Sequence, residues 1–190
     1  MSSVVEICNR ALQKLGAKRI VSLTEDTVNA RHCNVAYVPV LRSELRAHSW
    51  NCAIKRVSIA ADATEPIFGK ANYFTLPSDF LRLIEQDPSE LRNDLDWQIE
   101  GKKIVTNDDA PLEVRYIYEI TDPNEIDASL AEALSAKLAV EMCEVITQSN
   151  SKKSSLIEEY DAAIKMAKRV NAIESIAAEP PMDTWESIRL

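Results

Sequence analysis

The chain changes its hydrophobic period twice, and that change limits what it can fold into more than any single motif does. From residue 3 to about 47, and again from about 128 to 178, apolar residues recur every three or four positions. From Trp50 to Asp122 they fall instead into short runs separated by proline and turn residues. Amphipathic helices at both ends of a chain must bury their stripes against one another. The segment between them reads as strands and loops inserted into a helical body.

The helical boundaries can be placed from capping chemistry. Ser3 and Glu6 form an S-x-x-E box that opens the first helix, and Gly16 suits the left-handed position after its end, with Val4, Cys8, Ala11, Leu12 and Leu15 as the stripe. Ser22 and Glu25 form a second box. They predict a longer helix to about Ala47, with Ala30, Cys33, Tyr37, Leu41 and Leu45 on one face and a kink at Pro39. After TDPNEID, one face carries Leu130, Leu134, Leu138, Met142 and Val145, and the next carries Ala133, Ala136, Val140 and Cys143. Two apolar faces predict a helix packed on more than one neighbour. QSNSKKSS reads as a loop, and Ser155 with Glu158 as the cap of a last helix running to about Ala178.

In the middle, Glu100-Gly101-Lys102 reads as a hairpin turn, Val114, Tyr116, Tyr118 and Ile120 alternate along a strand, and Pro77-Ser78-Asp79 reads as a turn before another strand. The expected fold is mainly α with a small β insertion (α+β). Four main helices form a bundle, and antiparallel strands with a hairpin lie between the second and third helices. The expected domains are 1–50 with 123–178 as one helical body, 51–122 as the β-rich insertion, and 179–190 as an extended docking tail.

Charge and composition exclude several functions. With 22 Lys+Arg against 30 Asp+Glu the net charge is −8, which argues against tight sequence-specific DNA binding. The basic residues fall in scattered doublets such as Lys55-Arg56 and Lys102-Lys103. Only Gly16, Gly69 and Gly101 are available, so there is no phosphate-cradling loop and no dinucleotide fingerprint. No apolar run approaches membrane-spanning length, and the N-terminus does not read as a secretory signal. The four cysteines are far apart, without a C-x-x-C pair, and predict reduced thiols in a cytoplasm.

The stretch RHCNVAYVPVLRSELRAHSWNC holds both histidines and two of the cysteines. In a helix, His32 and His48 are 48 − 32 = 16 residues apart, or about 24 Å, so they cannot share a metal. Cys33 lies on the apolar stripe and reads as a small buried hydrophobe. His48 with Cys52 offers too few ligands for zinc. No metal site, cofactor or catalytic residue is expected. Among so many carboxylates an acidic pair proves nothing, and Glu25-Asp26 and Asp108-Asp109 read as a helix start and a loop tip.

Two segments read as contact surfaces. Trp185, Ile188, Arg189 and Leu190 follow a double proline where local structure offers them little to pack on, which predicts a docking arm. A tail folded back on its own subunit stays open as the alternative. The second segment is the hairpin around Trp97, Ile99, Lys102 and Lys103, which reads as a contact for a neighbour or as plain surface.

Taken in order, ICNRALQKLGAKRIVSLTED, the helix ending LRAHSWNCAIKR, then YFTLPSDFLRL, IEGKKIVTN, VRYIYEITDPNEID, ALSAKLAVEMCEVIT and the terminal DTWESIRL resemble the head-to-tail adaptor proteins of short-tailed bacteriophages, the tail tubular protein A family. The resemblance covers nearly the whole chain. It implies a non-enzymatic virion connector of the tail and neck, assembled in the host bacterial cytoplasm. Twelve copies would form a ring between the portal protein and the tail nozzle protein, monomeric before assembly, with double-stranded DNA as passing cargo and no membrane partner. It also implies portal docking through Trp185, Ile188, Arg189 and Leu190. Two other readings compete with it: a peptidoglycan hydrolase acting as the cell wall is penetrated, and a cytoplasmic helical interaction module.

Overall fold

The computed structural model describes residues 3–84 and 97–174. They divide into two compact units, residues 3–53 with 118–174, and residues 54–84 with 97–117.

The first unit is helical: α1 (Val4–Leu15), α2 (Val28–Ala47), α3 (Ala128–Thr147) and α4 (Asn150–Ile173). Ser3 caps α1 by accepting from the Glu6 amide, and Gly16 closes it at φ 74°. Ile7 joins Cys8, Ala11, Leu12 and Leu15 in the buried stripe. Asn9 clips the chain that follows, donating to the Ile20 carbonyl and accepting from the Ile20 amide, both at 2.8 Å.

The start of α2 departs from expectation. Thr27, not Ser22, is the cap and accepts from the Ala30 amide. The Ser22 hydroxyl accepts from the Thr24 amide, and the Glu25 carboxylate takes the amides of Val21 and Ser22. The expected capping pair therefore closes a turn before the helix. Val28–Ala47 is one continuous helical span through Pro39. Pro39 and Val35 are exposed, so the carbonyl that proline leaves without a donor is on the side open to water.

Helix α3 packs against α1, α2 and α4, as its two apolar faces require. Leu130, Leu134 and Leu138 are at most 1% exposed, and each contributes about 1.5–3 kcal/mol through burial. Val145 does not belong to this stripe: it is 58% exposed, because the buried face ends at Met142 and Cys143. The connection to α4 is also shorter than expected. Gln148 turns left-handed at φ 50°, and Ser149 caps α4 by accepting from the Lys152 amide. The helix thus starts six residues before the expected Ser155-Glu158 box, and the Ser155 hydroxyl bonds back to the Ser151 carbonyl. Its expected continuation to Ala178 lies outside the described residues.

Buried polar groups hold this unit in register. The Trp50 indole, 2% exposed, donates to the Glu44 carbonyl at 2.9 Å. The side chain of Glu44, 6% exposed, accepts from the Tyr160 hydroxyl at 2.8 Å. Burial, then the Glu44 carboxylate, raises the Tyr160 phenol well above its ordinary range. Asn171 accepts from the Asn51 amide and takes the Asn51 side-chain amide on its own carbonyl, both at 2.8 Å.

The second unit carries six strands, the last of which extends to residue 118: β1 (Ile54–Ile59), β2 (Asn72–Thr75), β3 (Phe80–Ile84), β4 (Gln98–Glu100), β5 (Lys103–Thr106) and β6 (Leu112–Tyr118). They form two three-stranded sheets, ordered β1-β6-β3 and β2-β5-β4. The β1–β6, β2–β5 and β4–β5 pairs are antiparallel. Gly101, at φ 61°, makes the expected hairpin turn between β4 and β5. The turn at Pro77 sends β2 and β3 into different sheets. Phe74, Leu76, Ile104 and Leu112 form the core of this unit, with Phe80, Leu83, Trp97 and Val114 packed against it. Among the described residues no helix is long and apolar enough to cross a membrane.

Candidate interaction surface of the β unit

The loop from Ala60 to Ala71 is pinned at both ends. At one end the Asp62 amide donates to the Tyr73 carbonyl at 2.8 Å, and the Asp62 carboxylate accepts from the Thr75 hydroxyl at 2.9 Å and from Lys103 at 2.6 Å. Lys103, then the Thr75 hydroxyl, holds the Asp62 carboxyl below its ordinary value. At the other end the Ala71 amide donates to Asn107 at 3.0 Å, and Asn72 donates to the Asp108 carbonyl at 2.9 Å.

Between these pins the loop holds Ile67 and Phe68 outward, 97% and 88% exposed. Large apolar side chains left this exposed on a fixed loop are the kind of feature that marks a contact surface. A hollow of about 290 Å³ lies beside the tip, lined by Pro66, Tyr73, Gln98, Glu100 and Val105 as well as the tip itself. Gly69 is at φ 90°, where a side chain would be strained, so the turn after Phe68 needs a glycine.

The four hairpin candidates divide. Trp97 packs against the core and Lys103 is committed to Asp62 while lying 5.1 Å from the Tyr73 ring, so these two serve the unit's own structure. Ile99, 41% exposed, and Lys102 are available at the surface. Trp185, Ile188, Arg189 and Leu190 lie outside the described residues. Sequence reasoning missed Ile67 and Phe68 because a loop has no period. The available signal was Ile-Phe between Pro66 and Gly69, large apolar residues where turn chemistry calls for small or polar ones.

The histidines and cysteines are dispersed in the helical unit. Cys33 is fully buried, with its sulfur 3.8 Å from that of Met142. A hydrogen bond with Cys33, then burial, pushes the Cys8 thiol far up. His48 ends α2, lies edge-on to Trp50 with centroids 4.7 Å apart, and its Nε2 is 3.4 Å from the Asn171 amide nitrogen. Among the described residues no group of three or more His, Cys, Asp and Glu side chains is placed to hold a metal ion. A cluster of Arg10, Lys14, Glu132 and Glu159 joins α1, α3 and α4. In it Arg10 lies 2.5 Å and Lys14 2.8 Å from Glu132, and Lys14 also meets Glu159. It is a cross-helix ion-pair network.

No family model matches the chain, and no curated protein matches it.

Proposed function

We propose that the protein is a structural head-to-tail adaptor of a short-tailed bacteriophage, a ring-forming connector between the portal and the tail nozzle. The observation that carries this reading is the ordered run of segments from ICNRALQKLG to DTWESIRL, in which a β insertion separates two helix pairs. The surface chemistry supports a contact role. Ile67 and Phe68 project from a pinned loop, with Ile99 and Lys102 on the hairpin of the same unit, and these groups serve as the contact for the nozzle protein or a neighbouring copy. Trp185, Ile188, Arg189 and Leu190 serve as the portal anchor. The net charge of −8 suits a channel through which DNA must slide without being held.

The test is to mix the purified protein with portal rings and examine the mixture by electron microscopy, beside a chain truncated after Glu179. Rings decorating one end of the portal, lost on truncation, support both the adaptor and its anchor. Decoration that survives truncation moves the portal contact into the folded body. Absence of decoration with the full chain overturns the reading.

A further inference from the structure

In the sheet β1-β6-β3, Arg56 and Arg115 are directly opposite each other on adjacent antiparallel strands. Side chains so placed leave the same face, with Cβ atoms about 5 Å apart. Two like charges there repel each other, and neither guanidinium has an ion-pair partner among the described residues. Arg115 is half-buried, and its Nε is a buried donor without a hydrogen-bond partner. The other basic residue of β1 shows the contrast: Lys55, on the opposite face, is neutralised by Asp79 at 2.9 Å. The next pair along the arginine face adds the exposed Ser58 hydroxyl and Glu113, which has an interaction of its own.

An unpaired lysine on a surface needs no explanation, because water solvates it. Two facing guanidinium forks, one with a dehydrated donor, are different. A single tetrahedral oxyanion between them relieves the repulsion and matches the fork geometry. We infer that Arg56 and Arg115, with Ser58 at the rim, form a receptor for a phosphate group, either free phosphate or a phosphodiester of a nucleic-acid backbone. The inference does not depend on the adaptor reading. Contact through one phosphate is weak and independent of base sequence, in keeping with a chain too acidic to grip DNA.

The experiment follows the arginine Nε–H signals of the full chain by NMR during titration with inorganic phosphate, against sodium chloride at matched ionic strength. A parallel titration uses a random-sequence DNA duplex. The Arg115 signal is expected to move with phosphate and not with chloride. Arg56→Gln should weaken the response by about tenfold, as loss of one charge-assisted contact does, and Arg56→Lys should restore it only in part, since an ammonium lacks the fork. Position 56 is exposed, so an otherwise unchanged spectrum verifies the fold, and Arg115→Gln provides a second variant.

If the duplex moves the same signal, with an affinity that falls as salt rises by a log–log slope near −0.9, the phosphate is that of a nucleic acid. If only inorganic phosphate does so, the ligand is a small phosphate. An Arg115 signal that stays still in both titrations, or that moves equally in Arg56→Gln, overturns the inference.

Discussion

The two units differ in the size of their cores and in how they leave apolar residues outside. The helical unit exposes Val21, Val35, Met166 and Ile173 at separate positions, whereas the β unit sets Ile67 and Phe68 side by side at one loop tip. The helical unit converges on α3, and its largest fully buried side chains include Trp50, Leu12, Leu45, Leu130, Leu134 and Leu138. The β unit has a core of a few residues around Phe74 and Ile104, yet holds Ile67 and Phe68 almost wholly in water. A unit with little apolar surface to spend on its own folding nevertheless leaves two of its largest apolar side chains outside. The difference separates a body that stabilises the chain from a surface shaped for something other than stability.

This contrast can be broken most directly through the cores. Phe74→Ala should destabilise the chain by about 3–5 kcal/mol and Leu138→Ala by about 2–5 kcal/mol in urea unfolding. If Phe74→Ala costs little, the β core is not what holds that unit together. A smaller effect separates the two capping candidates of α2. Thr27→Ala should cost about 1 kcal/mol, whereas Ser22→Ala should cost a few tenths at most, and equal losses would return the helix start to Ser22.

The third test is confined to the pinned loop. A carboxylate whose folded pKa lies below its ordinary value favours the folded form above that value, and the contribution disappears as pH falls through the folded pKa. For Asp62, with an ordinary value of 3.8, the loop should loosen below that pH, seen as faster hydrogen exchange at the Thr75 amide, and Asp62→Asn should abolish the transition. The smallest effect is expected at the tip. Ile67→Ser and Phe68→Ser should change stability by less than about 0.5 kcal/mol while weakening assembly with the proposed nozzle partner or a neighbouring copy. A large loss of stability would show that the tip serves its own fold.

How far the sequence disclosed this molecule varies with what each residue interacts with. Local chemistry was legible: Ser3 and Gly16 bound α1 as expected, and Gly101 makes its turn, because each acts on neighbours within a few residues. The two-faced period of α3 likewise revealed a helix with several neighbours. Competition among polar residues was not legible. Ser22-Glu25 and Ser155-Glu158 both match the capping pattern, but Thr27 and Ser149 lie closer to where the chain turns, and they take the caps. The candidate surface was half legible. Ile99 and Lys102 are at the surface as expected, but the commitment of Lys103 to Asp62 joins residues 41 apart in sequence, which no local pattern encodes.

The burial of the thiols also makes the chain its own clock. Cys8, Cys33 and Cys143 are fully buried, and Cys52, half-buried, has a thiol raised by its burial. An alkylating reagent needs an exposed thiolate, so the native protein should resist labelling except slowly at Cys52. Adducts at the other sites then accumulate only as fast as α1, α2 and α3 part from one another. Counting them by mass, at reagent concentrations where alkylation outpaces reclosing, gives the opening rate of the helical core.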